Sequence, residues 1–245
     1  MTQGDAFLIS CEHGGNRIPA PYRHLFSGHG AVLRSHRGYD RGALRMAREL
    51  ADALGAPLHA CIVSRLLIEL NRSPRHPQLY SEFTRSSGAE LRRELFECYY
   101  LPYRDAVENW INAMTANGLR VVHLSSHSFT PELDGVARDA DIGLLYDPRR
   151  SGERALCRQW RSALGRHAPA LKVRMNYPYA GTADGFTTYL RRRFAGAAYL
   201  GIELEINQRH AAPGQAWHAL RGAVIASLRE ALQEARTEAD TGRSA

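Results

Sequence analysis

Lysine is almost missing from this chain: Lys172 is the single one among 32 basic residues, so arginine carries nearly all the positive charge. Cysteine is scarce too. Cys11, Cys61, Cys98 and Cys157 lie far apart with no C-x-x-C, which excludes a disulfide framework and a thiolate zinc site and predicts buried thiols. Cys11, beside Glu12 and His13, invites a reading as a nucleophile, but a cysteine at a strand end is expected to pack. No apolar run reaches the roughly 18 residues needed to cross a bilayer, and mean hydropathy is −0.38. The opening residues MTQGDAFLIS carry no basic, apolar leader. A cytoplasmic location without membrane partners is the expectation. Internal repeats are absent, and only the tail is compositionally simple.

Net charge is +7 and the isoelectric point about 9.5, which raises nucleic acid as a partner. The distribution speaks against it. The densest clusters, Arg191-Arg192-Arg193 and Arg149-Arg150, are short and fit a solvated face, and no basic arm or zinc-finger pattern is present. No nucleic-acid partner is expected. Arginine suits a small acidic substrate, because its planar fork matches a carboxylate.

At 245 residues and 44% hydrophobic composition the chain can close one sizeable core. One catalytic domain over residues 1–236 is expected, with 237–245 as a frayed tail. Residues 6–11 (AFLISC) read as a buried strand ending in the polar turn EHGGNRIP, and 39–54 as an amphipathic helix. PLHACIV and LLIEL read as two short strands, and 89–116 as a helix kinked at Pro102. RVVHLSS is a strand expected to end at His127. DIGLLYD, LKVRMN and AAYLGIELEIN follow as strands, with helices at 151–166, after Thr182 and Asp184, and at 214–236. Alternating strands and helices predict an α/β fold of three α/β/α layers around a mixed, mostly parallel sheet. In such folds chemistry collects outside the carboxyl ends of the strands.

Four strand ends carry unusual polar residues: Glu12-His13, Asn71-Arg72, His127 and the pair Glu205 and Asn207. A catalytic zinc takes about three nitrogen or oxygen ligands and leaves one position for water. His13 and His127 supply imidazoles from separate strand ends, each flanked by small residues. Glu203 and Glu205 fall on one face of the last strand, where two carboxylates are costly to bury without a cation or a shared proton.

Taken in order, SCEHGGNRIP, GYDRGA, IELNRSP, HSFTP and IELEINQR span residues 9–209 and resemble the N-formylglutamate amidohydrolase family. The resemblance implies a phosphorylase/hydrolase-like core related to the zinc carboxypeptidases and aspartoacylases. It also implies one catalytic Zn2+ and hydrolysis of the amide bond of a small, acidic N-acyl amino acid. It makes His13 and His127 metal ligands. Carboxypeptidase relatives use H-x-x-E, but the fourth position here is Asn16. Asp40, in GYDRGA, is the preferred third ligand, and Glu12 competes for that place or orients an imidazole. The resemblance makes Glu205, ahead of Glu203, the general base, and Asn71-Arg72 the pair that holds the substrate carboxylate. Arg85 and Arg191 are candidates for a second carboxylate or for polarising the scissile carbonyl. NYPYAGTADG, with Tyr177, Tyr179 and Thr182, reads as a loop covering the substrate, with Gly181 and Gly185 giving it mobility. Departures at Glu12 through Gly15 and at Gln208 bear on the substrate more than on the fold. The rival readings are hydrolysis of a different N-acyl metabolite and a binding protein that has lost its metal.

Overall fold

The structure is a computed structural model, and it describes residues 4–241. In chain order the elements are β1 (Asp5–Cys11), α1 (Gly30–Arg34), α2 (Ala43–Leu54), β2 (Leu58–Ala60), α3 (Ala89–Leu95), α4 (Leu101–Ala116), β3 (Arg120–Phe129) and β4 (Glu132–Leu133). They continue with β5 (Val136–Ala137), β6 (Ile142–Leu145), α5 (Ser151–His167), β7 (Val173–Met175), α6 (Phe186–Arg193), β8 (Tyr199–Asn207) and α7 (Gln215–Thr241).

Six strands form one sheet in the order β2-β1-β3-β8-β6-β7, parallel at every junction except β8-β6. The central strands read as continuous buried runs, RVVHLSSHSF and YLGIELEIN, because both faces of the sheet are covered. On one face α2, α5 and α7 lay Met46, Leu50, Leu156, Trp160, Leu220, Val224 and Leu228 over Ile9, Val122, Leu124, Ile202 and Leu204. On the other, Val107 and Ile111 of α4 with Phe186 and Leu190 of α6 cover Leu8, Val121 and Tyr199. Neighbours in sequence divide between the two faces, as the period of two in a strand requires. The three-layer α/β expectation therefore holds.

Several boundaries differ from the sequence reading. LLIEL is not a strand: Leu66, Leu67, Ile68 and Leu70 belong to a separate small core with Tyr22, Phe26, Leu79, Leu95 and Tyr100. A short apolar run reports burial, not the partner, and here Glu69 N–H bonds to the Leu79 carbonyl instead of a strand. The 89–116 helix is continuous, with a π-helical turn over Phe96–Tyr100 placed just before Pro102. That turn absorbs the missing backbone donor. β3 runs past His127 to Phe129, and α7 extends to Thr241, beyond the expected stop at 236. Of the expected tail, residues 242–245 lie outside the described residues. Thr182 and Asp184 do not cap α6, whose N-cap is Gly185. Among the described residues no helix is long and apolar enough to cross a membrane.

His123 sits fully buried in the middle of β3, between the Tyr199 hydroxyl and the Ser10 hydroxyl, 2.8 Å from each. Burial pushes its pKa down to about 4. The folded protein therefore holds this imidazole neutral where the unfolded chain, with an ordinary value near 6.5, takes up a proton. Stability carried by His123 is fully present above about pH 6.5 and declines as pH falls toward 4, by up to about 3 kcal/mol. Urea unfolding across this range is expected to show a steeper acid-side loss for the wild type than for His123→Asn.

Candidate active site

β1, β3 and β8 run parallel, and their carboxyl ends open together on the sheet face that α4 and α6 cover. The chain leaves β1 toward β2 on one side and returns as β3 on the other, so the crevice lies at a switch in strand order. His13 follows β1 by two residues. His127 lies within β3, directly opposite Glu205 of β8. The cleft there has a volume of about 150 Å³ and is lined by His13, Asp40, Arg65, Asn71, Arg72 and His127, together with Tyr179, Asp184, Glu203 and Glu205.

At its floor two imidazoles meet one carboxylate. Nδ1 of His13 is 3.3 Å from Asp40 Oδ2, and Nδ1 of His127 is 3.0 Å from the same oxygen. The other face of each ring is backed by a further acid. His13 Nε2 bonds to Glu69 Oε1. His127 Nε2 lies 2.8 Å from Ser125 Oγ and 3.1 Å from Glu12 Oε2. Glu12 also accepts from the Ser125 and Tyr103 hydroxyls, at 2.7 and 3.0 Å. Opposite charge therefore surrounds these buried acids. Against burial, which raises them, the His13 and His127 imidazoles and Arg65 hold Asp40 well below the usual carboxylate range. His127 hydrogen bonding does the same for Glu12. Arg65, followed by His13, lowers Glu69. The paired carboxylates in turn push His127 up despite its burial.

Local chain geometry delivers Asp40. Its N–H bonds to the His13 carbonyl, tying GYDRGA to the turn after β1. Gly42, two residues on, takes φ 88°, a left-handed conformation open to glycine, in a space where a Cβ would meet Ala211 at 2.9 Å. Asp40 precedes α2 without capping it, since the N-cap is Gly42 and no side chain caps the helix.

Glu205 is the unusual member. It is 5% exposed, and its Oε2 is a buried oxygen with no hydrogen-bond partner. Burial, reinforced by Asp40 and Glu203 against His127 and Arg65, pushes its pKa up to about 8. Glu203 lies on the same face and accepts a hydrogen bond from the Thr187 hydroxyl.

Asn71 and Arg72 both reach the cleft, held by a turn stitched to two helices. Asn71 Oδ1 accepts the Phe186 N–H at the start of α6 at 2.7 Å, and Asp184 accepts the Ser73 N–H. The Arg72 carbonyl takes the Tyr100 hydroxyl at 2.7 Å and Arg104 Nη1 at 3.3 Å, and Arg104 also bonds the Leu70 carbonyl. The Arg104 guanidinium lies against the rings of Phe186 and Tyr189, 4.1 and 4.6 Å from their centres.

Two arginines singled out in the sequence are not brought to the cleft. Arg85 is exposed on a surface turn. Arg191 is buried and committed to Glu153 and to the carbonyls of Gly181 and Gly201, so its donors serve the fold. Of the covering loop, Tyr179 lines the cleft, whereas the Tyr177 hydroxyl accepts the Asp139 N–H and Thr182 faces a separate groove. Gly181 is no hinge: it presses against the Tyr146 backbone, where a Cβ would lie 2.2 Å from a nitrogen, and Asn176 Oδ1 holds its N–H. Asn16 bonds the Leu33 carbonyl, away from the imidazoles. Asn207 bonds the Ala140 carbonyl and caps the turn that follows. The Cys11 thiol, fully buried, is pushed well up by that burial and by Glu12 and Asp40, which excludes a thiolate nucleophile. Arg65 and the backing role of Glu69 were not legible. Glu69 stands in the apolar stretch that reads as a strand and Arg65 just before it, and nothing local marks them as paired with residues 56 and 25 positions away.

Among the described residues His13, Asp40 and His127 form the one group whose ligand atoms could hold a metal ion, all lying within 4.8 Å of one another. Tetrahedral zinc with ligands at 2.0–2.2 Å spaces them about 3.3 Å apart. The His-Asp separations here match that spacing.

Comparison with known proteins shows what the chain as a whole is similar to. A crystal structure of a gene product from Agrobacterium tumefaciens superposes with a TM-score of 0.81 at 29% identity, over 94% of this chain and 91% of that one. The crystal structure of N-formylglutamate amidohydrolase from Ralstonia eutropha JMP134 gives 0.64 at 17% identity, over 96% of each chain, and shows the same fold. No curated protein sequence matches. The sequence profile described as N-formylglutamate amidohydrolase matches residues 5–211, which include every residue of the cleft. The chain therefore belongs to the N-formylglutamate amidohydrolase family and is an amidohydrolase.

Proposed function

We propose that the protein hydrolyses the amide bond of a small N-acyl amino acid with the help of one zinc ion held by His13, Asp40 and His127. The observation that carries this reading is the convergence of two imidazole Nδ1 atoms on Asp40 Oδ2, each ring backed on its far side by a carboxylate, Glu69 or Glu12. Such backing fixes a histidine's tautomer and leaves the facing nitrogen's lone pair for a metal. The unpartnered Glu205 Oε2 fits the same group, because a nearby dication would hold this buried carboxyl ionised against its burial. A nitrogen and oxygen donor set of this kind suits zinc among the divalent ions. When bound, zinc polarises the acyl carbonyl and lowers the pKa of water to about 7.

The chain's own residues do the rest. Glu205 takes the proton of the attacking water on a carboxylate oxygen and passes it to the amide nitrogen as the carbon–nitrogen bond breaks. Glu203, two residues away on the same face, raises the proton affinity of Glu205 for this transfer. Arg65, which lines the cleft between Asp40 and Glu69, stabilises the negative charge developing on the acyl oxygen. Arg72 receives the substrate's α-carboxylate in its planar fork, with Asn71 beside it. The products are a free amino acid and a small carboxylic acid such as formate.

Elemental analysis of purified protein is expected to give about one zinc per chain, lost in His127→Ala; a wild type that stays metal-free after incubation with zinc would sink the mechanism. Glu205→Gln is expected to keep its zinc while kcat falls about 10²- to 10⁴-fold, as for loss of a general base. Retained turnover in that variant would remove Glu205 from the role. Glu69→Gln is expected to keep the fold, by circular dichroism, and to weaken zinc binding about 10- to 100-fold.

A further inference from the structure

The segment between the β4–β5 hairpin and β6 carries a cation that the mechanism above does not use. Arg138 is half-buried and forms no ion pair among the described residues; its neighbour Asp139 pairs with Lys172 instead. The Arg138 backbone is pinned on both sides. Its N–H bonds the Pro131 carbonyl at 2.8 Å, and its carbonyl accepts Asn207 Nδ2 at 3.3 Å. Asn207 is fully buried at the end of β8, so the segment is fastened to the strand that carries Glu205. The guanidinium lies 6.0 Å from the Phe129 ring centre and 5.0 Å from that of Tyr179. Its Nη1 donates to the Tyr179 hydroxyl at 3.0 Å, while Nε and Nη2 have no protein acceptor among the described residues.

Phe129 and Asn207 stand opposite each other across β3 and β8, two residues beyond His127 and Glu205 and on the same face of the sheet. At the rise of a strand, Arg138 is therefore placed about 7 Å outward from that ligand and that base. Glu203 lies two residues to the other side of Glu205, so its charge is on the far side from Arg138. Tyr179 joins the two places. Its ring lines the cleft, and its hydroxyl, after Glu69 and Asp40, is among the groups that hold up the Arg65 charge against burial. An amide held at Glu205 puts the end of a short side chain at this outer position. Resemblance to the family implies an acidic substrate but leaves its second charge without a residue, since Arg85 and Arg191 are placed elsewhere. We propose that Arg138 is a specificity-determining residue, whose free Nε and Nη2 donors receive the side-chain carboxylate of the substrate's amino acid. Those two N–H groups share one edge of the planar guanidinium, the edge that matches a carboxylate, and the Tyr179 hydroxyl steadies the other. The proposal rests on the hydrolase reading above and concerns which residue reads the side chain.

Glutamate and glutamine differ at the side-chain terminus by one charge and almost nothing in shape, so they isolate the contact. With zinc-loaded protein, kcat/KM is measured for N-formyl-glutamate against N-formyl-glutamine. The wild type is expected to favour glutamate by about tenfold or more, the worth of one charge-assisted hydrogen bond. Arg138→Gln is expected to remove that preference through KM, with the fold kept by circular dichroism. Arg138→Lys, which keeps the charge without the two-pronged edge, is expected to retain part of it. In the Glu205→Gln background calorimetry reads binding without turnover, and adding Arg138→Gln is expected to weaken N-formyl-glutamate by about tenfold more than N-formyl-glutamine. An equal loss for both ligands, an unchanged ratio, or a wild-type preference for glutamine overturns this assignment and leaves the hydrolase reading standing. Turnover of neither compound by the wild type removes the hydrolase reading, and the assignment falls with it.

Discussion

Asp40 Oδ2 meets the Nδ1 atoms of two imidazoles at once, at 3.3 and 3.0 Å, and Asp40 Oδ1 accepts from Arg65. A carboxylate 4% exposed cannot stay ionised without such partners, and each partner in turn needs support. His13 draws in Glu69. His127 draws in Glu12 and Ser125, and Glu12 draws in Tyr103 from α4. From one buried charge the network reaches the turn after β1, the segment before α2, the strand β3, the 64–73 stretch and the helix on the far face. Removing any one member leaves another buried polar group without its partner, which costs more than the pair itself contributes.

The same economy shapes the cleft's other wall. The turn carrying Asn71 and Arg72 has no regular secondary structure, so its backbone groups find partners in side chains. Asn71 closes the start of α6, Asp184 holds the Ser73 N–H, and Tyr100 and Arg104 hold the Arg72 carbonyl. The π-helical turn at Phe96–Tyr100 shifts the register of the long helix just where Tyr100, Tyr103 and Arg104 must reach Arg72, Glu12 and Leu70. Such turns recur at functional sites because they re-aim side chains without ending a helix. A substrate-facing arginine is held steady here by residues that never enter the cleft.

Some of this was legible in the linear chain. The alternation of strands and helices announced three layers, since a sheet with both faces apolar must be covered on both. The polar residues at strand ends pointed to the crevice, because a parallel sheet gathers its carboxyl ends on one edge. Glu203 and Glu205 were bound to share a face by the period of two. Other features were invisible for a plain reason. LLIEL is as apolar as a strand, and only its neighbours decide that it packs under a turn with Tyr22 and Leu79. Arg191 and Arg72 are the same residue type, and both read from the sequence as able to receive a carboxylate. One is consumed by Glu153 and two carbonyls, the other lines the cleft.

The sequence by itself thus determined what is local or periodic: which stretches are buried, which face each strand residue takes, and which residue types can bind a metal or a carboxylate. Tertiary structure alone decided which of those groups meet. Asp40, Glu69 and His127 lie 27, 56 and 114 positions from His13, and only the closing of the sheet brings their atoms together. Pairing at short range in space and long range in sequence depends on the packing of every intervening element, and no spacing in the chain records it.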